Sequence, residues 1–389
     1  MEMMIDALTR LPKLKKRNLL VLSSGSYRSG IQAIYLEIAG AQFEIIADSY
    51  LPFTAEVRTL LDTINSASRK KASVDEIASL DRKVTSCFID AAFTALATVP
   101  QAQKKPHAVL LNKMQLWRGP WEEGSRNGQW TFDIGSDVHI ARAVKAPVLT
   151  DFITFDLLRG GRGFLPLQAG FLKIADLFSG DAAFINAGLL SHAVITDKKK
   201  RIILTDSDTG PGTSLMNVIA AEHGCPDEFD RDGSQAALHQ VNEVCLDTLS
   251  EYDWFGRPAP KLAHLVPFED LLTHSSFKRQ TSGEKLATIT ALTARNIYDF
   301  MKRECPYFSS LSAVWISGGG ALNLTLMDYL RAYCDPVPVK GIEELGIPPF
   351  AGLPVALGLT VNEYLNNQPV YCNTLVTSKA DSLGKWVVY

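Results

Sequence analysis

A chain of 389 residues is too long for one ordinary hydrophobic core, so two domains are expected. Hydrophobic residues make up 46% and charged residues 21%, the balance of a water-soluble globular protein. A net charge of -3 offers no general attraction to nucleic acid or to an anionic membrane, which excludes both as default partners. The densest basic run, Lys198–Arg201, lies between two short apolar strands and reads as a solvated hairpin tip. Six cysteines (Cys87, Cys225, Cys245, Cys305, Cys334, Cys372) show no C-x-x-C pairing, as expected of reduced thiols. No apolar run is long enough to span a bilayer, and the basic segment Met1–Arg17 lacks the apolar stretch of a signal peptide. The expected compartment is the cytoplasm.

In chain order, Asn18–Ser24 is a predicted strand, Gly25–Gly30 a turn, and Ala33–Ile38 and Phe43–Asp48 continue a meander. Ser73 and Glu76 form a capping-box pair before a long helix. Its core stripe is Ile77, Leu80, Val84, Phe88, Ala91 and Leu96. His107–Leu111 is a strand, Thr131–Arg142 starts a further unit, and Asp151–Gly163 closes in glycines. The pattern restarts near Asp181: strand Ala182–Asn186, turn Ala187–Ser191, return strand Ala193–Thr196, then strand Ile202–Thr205. Helices are predicted at Ser214–His223, Ser234–Tyr252 and Glu284–Arg303. Strand Ala313–Ser317 leads through Gly318, Gly319 and Gly320 into a helix over Ala321–Tyr333, and Gly352–Leu365 is the last helix. The domains expected are residues 1–180 and 181–389.

Two stretches carry the functional signal. A strand, a glycine turn and a helix let backbone approach a ligand, with N–H groups at the helix start facing negative charge. Gly318–Gly320 has this form, and so does Asp208–Ser214 (DTGPGTS). Either alone is also an ordinary tight turn. Together, far apart in one chain, they predict two lobes meeting around a nucleotide. Asp230 and Asp232 resemble a metal pair in isolation, but Asp-x-Asp-Gly is as common at a helix start, and no metal site is assigned there.

A β-turn-β opening in each half plus a late GGG strand–helix resembles the actin, heat-shock-70 and hexokinase superfamily. The implied fold is α/β, two-lobed and ribonuclease H-like, with a nucleotide cleft between the lobes. Within it, the motifs resemble those of anhydro-N-acetylmuramic acid kinases. The family's D-F-R-x-x-D-x-x-x-G-G-x-G is matched by DFITFDLLRGGRG, keeping Asp151, Phe152, Asp156, Gly160, Gly161 and Gly163. N-I-G-G-I-A-N corresponds to NAGLLSH with Asn186 and Gly188 kept, and D-T-G-P-G-N to DTGPGT. Y-D-x-D-G becomes FDRDG. G-G-G-A-x-N-x-x-L-M is matched in full by Gly318, Gly319, Gly320, Ala321, Asn323, Leu326 and Met327.

The chain also departs from the family. The first phosphate loop, M-S-G-T-S-x-D-G-x-D, corresponds to Ser23–Gln32, with Ser29 and Gln32 where the family has aspartates and Ser26-Tyr27 in place of Thr-Ser. G-S-H-G-Q-T is LNKMQL, keeping only Gln115, and P-K-S-T-G-R-E-x-F keeps only Pro260, Lys261 and Phe268. The family's Glu-Ala before the last helix is Leu353-Pro354.

The resemblance implies an ATP-dependent opening of a 1,6-anhydro sugar with phosphorylation at O6, in cell-wall amino-sugar recycling, by a homodimer. The lost motifs imply a changed sugar. Asp156 is the implied general base, and a turn or cap aspartate is the plainer alternative. The implied ATP and phosphate contacts are Gly25, Ser26, Arg28, Ser29, Gly30, Asn186, Gly188, Asp208, Thr209, Gly210, Gly212 and Thr213. Gly318, Gly319, Gly320 and Asn323 are assigned to the adenosine. Arg28 can replace part of the lost charge neutralisation. Mg²⁺ is expected with ATP, yet the missing loop aspartates weaken its seat. A catalytically weakened pseudo-kinase, binding nucleotide or sugar as a regulatory subunit, is the competing expectation.

Overall fold

An unbroken apolar run suits a strand covered on both faces, and Leu19–Leu22 is such a run. In the computed structural model, which describes residues 2–24, 29–65, 72–119, 130–263, 265–370 and 382–389, this run is fully buried. Helix α1 (Glu2–Arg10) precedes β1 (Lys16–Ser24), β2 (Gly30–Ala39) and β3 (Gln42–Pro52). Helices α2 (Ala55–Asn65) and α3 (Val74–Thr98) follow, then β4 (Ala108–Asn112) and the ribbon β5 (Met114–Arg118) and β6 (Thr131–Ile134). Next come α4 (Asp137–Val144), β7 (Val148–Thr150), α5 (Phe152–Leu158) and α6 (Gln168–Ala175). The chain continues through β8 (Ala182–Ala187), β9 (Ser191–Asp197), β10 (Ile202–Gly210) and α7 (Ser214–His223). After these lie α8 (Glu243–Ser250), α9 (Asp253–Gly256), α10 (Leu265–Thr273), α11 (Ser275–Lys278) and α12 (Ser282–Glu304). The remaining elements are β11 (Ala313–Ser317), α13 (Leu324–Cys334), β12 (Val339–Gly341), α14 (Gly352–Leu365) and β13 (Lys385–Val387).

These elements form two compact units, Met1–Lys173 with Leu353–Tyr389, and Ile174–Gly352. The first holds the sheet β13-β7-β4-β1-β2-β3, the second β10-β9-β8-β11-β12. In both, the first three strands are an antiparallel meander and the fourth pairs in parallel with the first. This repeated strand order is the ribonuclease H-like α/β fold expected from the sequence. In the first unit α3 lies on the sheet, started by the Ser73/Glu76 capping box and burying Leu80, Val84, Phe88, Ala91 and Leu96. In the second, α12 starts at a Thr281/Glu284 capping box and buries Leu286, Ile289, Leu292 and Ile297.

Residues 353–389, expected with the second half, belong instead to the first unit. The reason is backbone packing that glycine permits. A side chain at Gly170 would collide with the Ala356 carbonyl, and one at Gly358 with Leu36. The Gly170 N–H donates to Thr360 Oγ1 at 2.9 Å, and the buried Arg17 guanidinium donates to Asn362 Oδ1 at 2.7 Å. β13 then pairs antiparallel with β7. The helix expected over Ser234–Tyr252 is also shorter, because Asn242 accepts the Cys245 N–H at 3.0 Å and caps α8 there. Strand β10 is longer than expected, running through Gly210 with two register shifts. Among the described residues no helix is long and apolar enough to cross a membrane.

Gly170→Ala should lower stability by about 1–3 kcal/mol, since the colliding atom is backbone and cannot rotate away. Gly256→Ala, where nothing lies within 4 Å, should leave the urea midpoint unchanged. Equal midpoints for both variants would contradict this packing.

Candidate functional site

Strands β8, β10 and β11 point the same way, so their C-terminal ends share one edge of the second unit's sheet. That edge is where open α/β sheets take ligands. Asn186 and Gly188 leave β8 there, Gly210, Gly212 and Thr213 leave β10, and Gly318–Gly320 leave β11. The turns are locked together. Thr213 N–H donates to Gly188 O at 2.7 Å and Ser214 N–H to Leu189 O at 3.2 Å. Gly212 has φ +25, and a Cβ on it would strike the Gly188 carbonyl. Gly318, at φ +81, would place a Cβ 2.9 Å from both Asn186 Oδ1 and Ala187 O. At Gly320 the Cβ would be 2.5 Å from that of Ala187. Gly319 differs: a Cβ on it would meet no backbone, only Phe350 Cε1 in ordinary contact at 3.7 Å.

Several groups expected at phosphate already have partners. The Thr213 hydroxyl, like its N–H, is directed to Gly188 O, at 3.2 Å. Asp208 is buried and accepts the Ala263 N–H at 2.8 Å. The Thr209 hydroxyl is buried against that of Ser191, and Thr209 O accepts from Asn296 Nδ2 at 2.7 Å. Asn323 caps α13 by accepting the Leu326 N–H at 2.9 Å. Burial requires these polar groups to be paired, so they hold the edge together. In the second unit Asn186, Gly188, Thr213 and Gly319 are the assigned residues that are half-buried, and in the first unit so is Ser29. Gly25, Ser26 and Arg28 lie outside the described residues. Ser29 O accepts the Phe53 N–H at 3.2 Å, and Gly30, at φ +153, begins β2 pressed against Leu51 O.

Behind the edge lies a charged trio. His192 Nδ1 meets Asp208 Oδ1 and its Nε2 meets Asp206 Oδ1, both at 2.8 Å. Burial alone would pull the imidazole pKa down, but hydrogen bonds and charge from both aspartates raise it to about 10. The ring is therefore an imidazolium donating from both nitrogens. The Lys261 amine is buried too, donating to Trp254 O at 3.1 Å and Phe255 O at 2.8 Å, 4.2 Å from the Trp254 ring centroid. Burial, then the Arg303 charge, lower its pKa to about 7.

In the first unit β1, β4 and β7 run parallel and end near Ser23, Asn112 and Thr150. Asp151 follows in a left-handed conformation, φ 61, at the start of α5. Its carboxylate meets Lys113 at 2.7 Å and Lys385 at 3.1 Å, and Lys385 also reaches Asp137 at 3.0 Å. Burial pushes the Asp151 carboxyl up, but the hydrogen bonds and charges of Lys113 and then Lys385 hold it below the usual range. Asp156 is buried, and its Oδ2 accepts the N–H groups of Gly163 at 2.6 Å and Phe164 at 3.2 Å. A Cβ at Gly161 would overlap that carboxylate, which explains the glycine. Asp156 thus holds the Gly163 and Phe164 backbone, and its carboxylate is fixed in one place.

Sequence reasoning missed the Lys113–Asp151–Lys385–Asp137 network, the His192 trio and Asn296. Asn296 had a signal, as a polar residue on the buried stripe of α12. Lys113 had one as well, standing where the family motif has histidine. Lys385 and Asp206 had none, because only strand register brings them to their partners.

Residues 17–387 match the model of a family described as anhydro-N-acetylmuramic acid kinase. The chain is similar to a protein of that name from Rhodopseudomonas palustris (strain BisB18), 28% identical over 84% of this chain and 87% of the relative. It is similar to another from Hydrogenovibrio crunogenus, 25% identical over 93% of this chain and 95% of the relative. Among solved structures it is similar to component A of the Acidaminococcus fermentans (R)-2-hydroxyglutaryl-CoA dehydratase, with 12% identity and a TM-score of 0.40 over 90% of this chain and 99% of that one.

Gly320→Val should lower the melting temperature, while Gly319→Val should melt with wild type, because only the former meets Ala187. The His192 pKa is raised above its unfolded value of 6.5, so its stabilisation is full below that pH and fades as pH rises toward about 10. The stability gap between wild type and His192→Gln should therefore shrink from about pH 6 to about pH 10. A gap independent of pH would show that the ring carries no charge.

Proposed function

The chain belongs to the anhydro-N-acetylmuramic acid kinase family, and on that premise we propose that it phosphorylates a 1,6-anhydro-muramyl sugar or a close relative from ATP. Water adds to the anomeric carbon, the bond from that carbon to O6 breaks, and O6 takes the γ-phosphoryl group as ADP leaves. The water proton goes to the Asp156 carboxylate, and the water oxygen remains as the anomeric hydroxyl. The observation that carries the reading is the convergence of the three glycine turns on one strand-end edge. In this reading the Gly188 turn, held by the Thr213 N–H and hydroxyl, lies toward phosphate, and Gly319 lies under the adenosine. Gly210, Gly212, Gly318 and Gly320 allow the close approach, and Asp208, Thr209 and Asn323 hold the turns.

Bound Mg²⁺ would neutralise phosphate charge. Among the described residues no group of three or more His, Cys, Asp or Glu could hold a metal ion. Ser29 and Gln32, standing where the family motif has aspartates, supply only neutral oxygens there, which fit such an ion poorly. A cytoplasmic homodimer belongs to the same reading and is supported by the family alone.

The test is phosphoryl transfer from ATP across a panel of anhydro and free sugars. Asp156→Asn should slow transfer by about 10²–10⁴ with nucleotide affinity unchanged. A variant as fast as wild type would remove Asp156 as the proton acceptor. Gly319→Val should weaken ATP binding in calorimetry while keeping the fold, since a branched side chain would stand where the ligand is proposed to approach and would strike no backbone. Wild type that binds ATP yet turns over no sugar would favour the regulatory pseudo-kinase.

A further inference from the structure

The segment between β12 and α14 returns to the Gly318–Gly320 turn and leaves an aromatic ring beside it. Gly318 N–H donates to Pro349 O at 2.7 Å, and a Cβ at Gly352 would stand 2.9 Å from Ser317 Oγ. Phe350 lies between these two contacts in the chain, so its backbone is fixed against the turn on both sides. Its ring edge reaches Gly319, with Cε1 3.7 Å from where a Cβ on that glycine would be. Phe350 is 38% exposed, and Leu322 and Leu324, on either side of the buried Asn323, are 46% and 59% exposed. Apolar surface is thus left open at a turn whose own polar side chains are occupied. Ser317 Oγ donates to Ile185 O at 3.3 Å, and Asn323 Oδ1 accepts the Leu326 N–H at 2.9 Å. Exposed apolar side chains gathered at one place mark a surface that a ligand covers.

We propose that Phe350 is the residue on which the nucleobase of the phosphoryl donor stacks, so that the donor is selected through the flat face of a purine. Every base offers an apolar π-face, and an aromatic side chain binds that face whatever groups the base carries on its edge. A purine, with two rings, covers more of the ring than a pyrimidine does. A sugar would also rest on Phe350, but its hydroxyls need hydrogen-bond partners, and Ser317 and Asn323 have theirs within the protein. Phe350 therefore acts by touching the base, whereas Gly319 acts by leaving room for it. The inference rests on the nucleotide reading above and adds to it the group that holds the base.

The experiment is calorimetric titration of the full chain with ADP and with CDP, comparing wild type, Phe350→Leu and Phe350→Trp. Leucine keeps the apolar volume and removes the ring, and should weaken ADP by about five- to hundredfold. The loss for CDP should be smaller, which narrows the preference of wild type for the purine. Tryptophan keeps a ring and should bind ADP at least as tightly as wild type. Its indole reports the contact directly: ADP should quench the fluorescence of Phe350→Trp more than that of wild type. Near-UV circular dichroism checks that both variants are folded, and should Phe350→Leu fail that check, the quenching decides by itself. Equal ADP affinity in wild type and Phe350→Leu, or a Phe350→Trp protein quenched no more than wild type, would overturn the proposal. A loss in Phe350→Leu that is the same for ADP and CDP would also overturn it, as a change in the turn and not in the base contact. Failure of wild type to bind either nucleotide would instead overturn the nucleotide reading on which it rests.

Discussion

Backbone meeting backbone at the ends of β8 and β11 is the constraint from which the second unit's site follows. Parallel neighbours that both end in turns must pass those turns over one another, and any Cβ in the contact becomes an obstacle. Gly318 and Gly320 lie against Asn186 and Ala187, and Gly212 lies against Gly188. With those contacts closed, Gly319 is the one of the three successive glycines whose Cβ would meet no backbone, only Phe350 Cε1 at 3.7 Å. The same edge could not be built from alanine, because Gly318 also needs φ +81.

A tight edge needs a stiff base, and polar groups supply much of it. Ser207, Asp208 and Lys261 exchange hydrogen bonds that clip the Pro260–Ala263 segment to β10: Lys261 N–H to Ser207 Oγ at 2.8 Å, and Asp208 N–H to Lys261 O at 3.1 Å. Asn296 of α12 holds Thr209 O from the other side. The His192 charge, set between two carboxylates, belongs to this scaffold, since both its nitrogens are occupied. The motif residues thus divide into those that shape the edge and those that leave backbone open on it.

Local signals were legible in the sequence, and long-range ones were not. The bounds of α7, β11 and α14 coincide with those read from periodicity and glycine punctuation, and the Ser73/Glu76 capping box is present. The three glycine turns stood out because glycine answers a backbone demand that is local in the chain. Asn323 was ambiguous for a related reason: one residue type serves both a ligand and a helix cap, and in the structure Asn323 caps α13. The hydrogen bond from Gln32 to Asp48 was invisible because it depends on the register of two strands. The return of residues 353–389 to the first unit likewise rests on glycines at 170 and 358 whose partners lie far along the chain.

That return has a consequence for how the protein is made. The second unit is a continuous stretch, Ile174–Gly352, that falls in the sequence between the two pieces of the first. On the ribosome the second unit can therefore be completed before the first. Until Leu353–Tyr389 has emerged, β7 lacks its β13 neighbour and the sheet of the first unit keeps an open edge. An edge left open in this way can pair with other chains until the last residues are made.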